Sequence, residues 1–430
     1  MHPSRRPQTG PESQRHNFIY TVYIYNRMPY ARGSLMPLPS PPPREERFAR
    51  TVRQSPFEAL RIIAMLAIVG AHFSSLSQNT ASFSFEHQPF DLTKFIVQSL
   101  FAPTGQLGVT LLFMISSWFL CLEHVSLKRA SRKAWLLERQ VLCYSICLFA
   151  ITTLTTKQAS FSLMLSSLFP SSTNLWWYVT SYLQFLFLWP FLTQGLRALS
   201  KRNHAMLIVL SLAFFSIQPV ILGYALDTLP GITRFVVIYI IIAFIRWYRP
   251  RFILSKKCSY AMLAFGVTLN LLSVYVMDII GEFLNEPVTG GRIASIPLSP
   301  ITLSIALGLL LICSRMHFTS RVVNVLSSGT FAVYLIHVYP SVRQLLWEHL
   351  FPVGEWYRSP WLFPYAFGVI ILITLFGILI DILIRQPLFA ITIDRHKGRL
   401  FNRLFDLVHT WQVRLSEHRS RNSNPEGPKE

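Results

Sequence analysis

Long apolar runs recur from Phe57 to Arg385, each closed by a short polar segment. They exceed the length of core strands and approach the roughly 20 residues that a helix needs to cross a bilayer. The pattern predicts ten membrane-spanning helices. Five cover Phe57–Ser77, Leu107–Leu122, Trp135–Leu154, Leu175–Leu196 and His204–Leu226. Five more cover Ile232–Trp247, Ser259–Ile280, Leu298–Cys313, Gly329–Leu346 and Leu362–Ile384. The second, sixth and eighth are the shortest. The expected fold class is therefore all-α, a polytopic membrane protein.

The polar segments alternate in charge. Basic clusters occupy the N-terminal lead, Leu127–Lys133, Arg197 to Arg202, Arg246–Lys257, Arg315 with Arg321, and the tail after Arg385. The segments between them are neutral or acidic, as at Glu86 with Asp91, Asp278 with Glu282 and Glu286, and Glu348 with Glu355. Because Lys and Arg are retained on the cytoplasmic side, every second connection and both termini are expected there. This predicts a multi-pass protein of the inner, cytoplasmic membrane.

Composition agrees with a bilayer as solvent. Hydrophobic residues make up 51% of the 430 and charged residues only 14%, well below the quarter usual in soluble domains. The formal net charge of +20 raises nucleic acid as a partner. Its confinement to tails and alternate connections points instead to orientation and anionic lipid.

Three regions follow. Residues 1–55 are Pro- and Arg-rich, with "PLPSPPP", and are expected to be disordered. The apolar Phe18–Tyr25 stretch within them is equally explained by a start at Met28 or Met36. Residues 56–385 form the ten-helix unit, opened by an uncleaved signal-anchor helix. Residues 386–430 form a basic tail in which Arg399–Leu415 has amphipathic spacing, suited to the inner leaflet. The five cysteines show no metal-finger spacing and no readable disulfide framework. No metal is expected.

One stretch carries chemistry: "LRIIAMLAIVGAHF", Leu60 to Phe73. Eleven residues separate Arg61 from His72, which returns the helix to within about 20° of its starting face. Both side chains leave from one face, roughly 16 Å apart along the axis. Singly, each has a structural reading. Arg61 reaches the headgroups with Glu58 as its ion-pair partner, and His72 hydrogen-bonds between helices. Jointly they describe a polar path, since ionisable groups inside a membrane usually line a path or a site. An enzyme and a transporter or flippase of an anionic or saccharide solute both fit that path.

The same stretch resembles the first-helix signature of the acyltransferase-3 family of integral membrane acyltransferases. "GQLGVTLLFMISSWFL", "LWWYVTSYLQFLFLWPFL" and "SSGTFAVYLIHVYP" resemble three later stretches of that family, in order. The resemblance covers residues 57 to 385. It implies transfer of an acyl group, usually acetyl, from cytoplasmic acyl-coenzyme A to a hydroxyl of a surface or lipid-linked saccharide. No permanently bound cofactor is implied, since acyl-coenzyme A is a substrate.

By resemblance, His72 is the catalytic base and Arg61 helps hold the donor. The residue types suit those tasks, because a neutral imidazole can take a hydroxyl proton. A guanidinium can grip phosphate or polarise a thioester oxygen. Arg139 stands where many members carry the first of two arginines, with Leu142 in the second place. A donor contact and an inner-boundary anchor are both open to it. Ser116 and Ser117 replace the family's Ser-Gly, and Ser116 is a candidate acceptor contact. His337 matches a late histidine, for which a structural bond and a substrate contact are equally open. Trp176, Trp177 and Tyr178 are candidates either to line the acceptor path or to form an aromatic belt. Pro190 is expected to kink the fourth span.

Overall fold

The computed structural model describes residues 54–76, 88–157, 160–222, 231–285, 290–392, 401–408 and 410–411. The Pro-rich lead, the Phe18–Tyr25 stretch and the alternative starts lie outside them, as do Glu86, Glu286 and most of the C-terminal tail. Every regular element among the described residues is a helix. Each of the ten expected spans falls mainly on helix where its residues are described. Among the described residues, seven helices are long and apolar enough to cross a membrane, or eight if one bent pair counts as a single span. The expected ten is thus not reproduced as ten full-length crossings. Pro300–Cys313 is a shorter apolar helix, and Arg321–His337 turns by 84° into Pro340–Leu350.

Helix starts are written locally. α1 spans Ser55–Leu76, α2 Leu92–Leu100, α3 Thr104–Leu120 and α4 Leu127–Thr156. α5 spans Phe161–Leu168, α6 Trp177–Ala198 and α7 Lys201–Leu222. α8 is Gly231–Tyr248, α9 Lys256–Leu284 and α10 Pro300–Cys313. α11 is Arg321–Ser328, α12 Thr330–His337, α13 Pro340–Leu350 and α14 Leu362–Ile391. Ser126, Ser160, Ser200, Ser255, Ser299 and Ser320 each accept a hydrogen bond from a first-turn N–H of the helix that follows. Such caps satisfy donors that a helix start leaves open. α6 runs through Pro190 without interruption.

Two close approaches set the scaffold. A Cβ on Gly108 of α3 would lie 2.4 Å from the Ala64 carbonyl oxygen of α1, so only glycine lets these helices meet so tightly. A Cβ on Gly308 of α10 would lie 2.9 Å from Leu263 N and Ser259 O of α9. Small residues at contacts are how helices associate in lipid, where apolar burial alone gives no preference for protein over acyl chains. The outward faces of α7 and α14 expose Val209, Ile221, Phe376 and Leu383. Apolar surface on that scale belongs in a bilayer.

A buried tie closes one corner. The Asp381 carboxylate is fully buried and accepts from Tyr144 at 2.7 Å, from Arg385 Nη2 at 2.7 Å and from Gln386 Nε2 at 2.9 Å. Gln386 also donates to Ser328 Oγ. The tail helix at residues 401–408 docks on the start of α4, through Lys128 with Asp406 at 2.9 Å and Trp135 against Phe401. Its Leu404, Leu407 and Val408 remain exposed, as an amphipathic face requires.

Candidate active site

α1 meets α11 and α12 along a line of polar side chains. Ser55 Oγ donates to Asn324 Oδ1 at 3.0 Å, and Ser327 Oγ donates to Glu58 Oε2 at 2.6 Å. At the far end, His72 Nδ1 lies 2.9 Å from His337 Nε2. Positions 55, 58 and 72 thus pair with 324, 327 and 337 in rising order, so the strips run parallel. Between the polar ends lie Met65, Val69, Val333 and Ile336, all buried in one apolar cluster.

Arg61 donates from Nη1 to Glu58 Oε1 at 2.8 Å, the i,i−3 partner expected from the sequence. Tyr178 stacks parallel to Tyr182 at 6.2 Å and meets the edge of Tyr334 at 6.0 Å. Tyr334 in turn stands 6.4 Å from the His337 ring. A run of aromatic rings therefore leads from Tyr182 and Tyr178 to His337. Arg61 and His72 both lie on the unbroken α1, so eleven-residue spacing sends them off one side of it.

The histidine pair is asymmetric. His337 is 1% exposed, whereas His72 is half-buried. The His337 Nδ1 lies 2.5 Å from the Val333 carbonyl oxygen, one turn back in its own helix. His72 Nε2 has no hydrogen-bond partner among the described residues, and it is the ring nitrogen turned away from His337. The chain bends directly after this pair. Pro340 cannot donate to the preceding turn, and Tyr339 before it adopts ψ 132. Beyond the bend, Arg343 stands one turn into α13.

The remaining candidates separate. Trp176 is 1% exposed and packs 6.1 Å from Tyr339, whose hydroxyl bonds Ser167 Oγ at 3.0 Å. It is a core ring, packed on a tyrosine two residues after His337. Trp177 lies under the Arg234 guanidinium at 5.2 Å. Ser116 Oγ donates to Leu112 O of its own helix, a backbone contact that ties it to no other candidate. Arg139 lies over the Phe389 ring at 5.5 Å, a ring that Arg385 also covers, so it stands against the last helix.

Two charged residues escaped the sequence reading. Arg234 sits in the first turn of α8 and donates to Gln106 Oε1 at 3.3 Å. A lone arginine inside an otherwise apolar run was the available signal. Arg343 had none, because its place is set by the turn of the chain at Pro340.

A family model described as an acyltransferase domain matches residues 57–380. No curated protein and no solved structure matches the chain. The match spans α1 through most of α14 and contains the Arg61, His72, Tyr178 and His337 assembly. The chain is a multi-pass membrane protein and belongs to the acyltransferase-3 family of integral membrane acyltransferases.

Proposed function

We propose that this protein moves an acyl group, acetyl in the simplest case, from acyl-coenzyme A to a hydroxyl of a surface or lipid-linked saccharide. The donor enters from the Ser55 end of α1, the cytoplasmic side by the charge pattern, in the inner membrane. The observation that carries this reading is the pair at the other end: a partly exposed His72 with one ring nitrogen bonded to His337 and the other without a partner among the described residues.

His72 Nε2 takes the proton of the acceptor hydroxyl as that oxygen attacks the thioester carbonyl. An alcohol is a poor nucleophile until something removes that proton, and positioned bases contribute about 10²–10⁴-fold. Arg61 acts elsewhere. At roughly 16 Å from the base, it cannot share a reacting bond with His72. That separation suits a grip on the donor's phosphates, which lie at the far end of the extended pantetheine arm from the thioester. Glu58 keeps the guanidinium tolerable inside the bundle by pairing part of its charge. Tyr178 and Tyr334 belong to the run of rings that leads to His337, and Trp176 packs on Tyr339.

Arg139, Ser116 and Trp177 receive no role at the reacting centre in this reading. The test is incubation of purified protein with labelled acetyl-coenzyme A and a panel of glycan acceptors. Label should pass to a glycan and stop with His72→Ala. Movement of a saccharide across vesicles without thioester consumption would replace this reading with a transporter.

A further inference from the structure

We propose that His337 is a positioning residue that locks His72 in the tautomer carrying its proton on Nδ1, so that the Nε2 lone pair faces the acceptor. The inference rests on His72 being the base, and it follows from the partners each ring nitrogen has. A carbonyl oxygen only accepts, so the His337 nitrogen 2.5 Å from Val333 O must carry a hydrogen. In a neutral imidazole the other nitrogen is then a bare acceptor. That nitrogen, Nε2, lies 2.9 Å from His72 Nδ1, which must therefore donate. His72 is left with its lone pair on Nε2.

The opposite polarity needs a doubly protonated His337. That ring is 1% exposed among apolar neighbours. A buried, unpaired charge there is disfavoured. The last turn of α12 supplies the anchor, because carbonyls near a helix end favour donors.

The step balances without a further reactant. His72 Nε2 accepts the hydroxyl proton while the acceptor oxygen bonds the acyl carbon. The carbon–sulfur bond breaks and the departing thiolate takes that proton back from Nε2. Throughout, His72 Nδ1–H stays bonded to His337, in both the neutral and the charged state of His72. His337 touches His72 and no reacting atom.

Two substitutions in the full-length, detergent-purified protein test this. His337→Phe keeps a ring and loses the acceptor, whereas His337→Gln keeps a carbonyl oxygen that can accept from His72. The expected result for Phe is a kcat loss of about 100-fold or more, as wrong-tautomer changes in a catalytic triad produce. Donor and acceptor KM should stay within about twofold, and Gln should recover at least about tenfold of the lost kcat. A second readout needs no turnover: carbethoxylation of His72 by diethyl pyrocarbonate, mapped by peptide mass spectrometry. It should slow in Phe and recover in Gln. If Phe does not accumulate folded, His337→Asn, too short to reach His72, takes its place.

Wild-type kcat in Phe, or an effect confined to acceptor KM, overturns the inference, the latter by making His337 a substrate contact. Loss of activity in His72→Ala with no effect at position 337 sinks the inference and leaves the acyltransfer reading standing. Tracking of His72 carbethoxylation with residue 337 in a protein that transfers no acyl group does the reverse.

Discussion

Two of the ionisable clusters inside the bundle differ in how completely their bonds are filled. Asp381 is saturated. Tyr144, Arg385 and Gln386 together satisfy its carboxylate, and the group has no exposure. The His72–His337 pair is not. Every polar atom of its inner member is engaged, while its outer member, a partly exposed ring, keeps one nitrogen without a partner among the described residues. A charge buried in an apolar medium is tolerable only when paired. The first cluster therefore ties α4, α11 and α14 together, and the second retains a valence for a visitor. Ionisability within the membrane was the same signal for both; saturation tells structure from chemistry.

That contrast breaks if activity does not follow the open pair. His72→Ala should lower kcat by about 10²–10⁴-fold, the range of a lost general base, with unchanged membrane insertion. Radiolabel transfer and a fluorescence-detected size-exclusion profile measure the two halves. Wild-type turnover in this variant ends the base assignment.

Asp381→Ala should act on stability instead. Removing one partner of a buried pair leaves Arg385 uncompensated and costs about 3–5 kcal/mol. A thermal melt in detergent should fall by many degrees, while kcat per folded molecule changes little. A purely catalytic defect at normal stability would dissolve the distinction.

Arg61→Lys sharpens the division of labour along α1. Losing a bidentate grip should raise the KM for acyl-coenzyme A by about tenfold, with kcat nearly preserved. A kcat defect without a KM change would move Arg61 to the reacting bond, against its separation from His72. Ser116→Ala should be the smallest effect. Its hydroxyl bonds only its own helix among the described residues, so turnover should stay within about twofold and stability within about 0.5 kcal/mol. A large loss would make Ser116 an acceptor contact after all.

Much of this was legible along the chain because it is local. Hydropathy adds up residue by residue, so the ten helical regions stand where the apolar runs are. Three crossings fall short for reasons the runs do not show. Pro300–Cys313 is short, the Gly329–Leu346 run bends at Pro340, and α6 is not among the fully apolar spans. Eleven-residue spacing likewise placed Arg61 and His72 on one face, because helix geometry needs no tertiary contact. Glu58 was foreseeable as the Arg61 partner for the same reason, as was the Asp381–Arg385 pair.

Partner choice was not legible. His72 and His337 are 265 positions apart, and nothing in either stretch states that their rings meet. Ser116 and Arg139 matched family positions by sequence, yet their side chains turn to Leu112 and to Phe389. Trp176 read as either an acceptor-path or a membrane-interface ring, and its side chain is buried in the core. Periodicity along one helix gives the direction of a side chain relative to its own axis. Only the docking of α1 against α11 and α12, ended by the Pro340 bend, decides what lies in that direction.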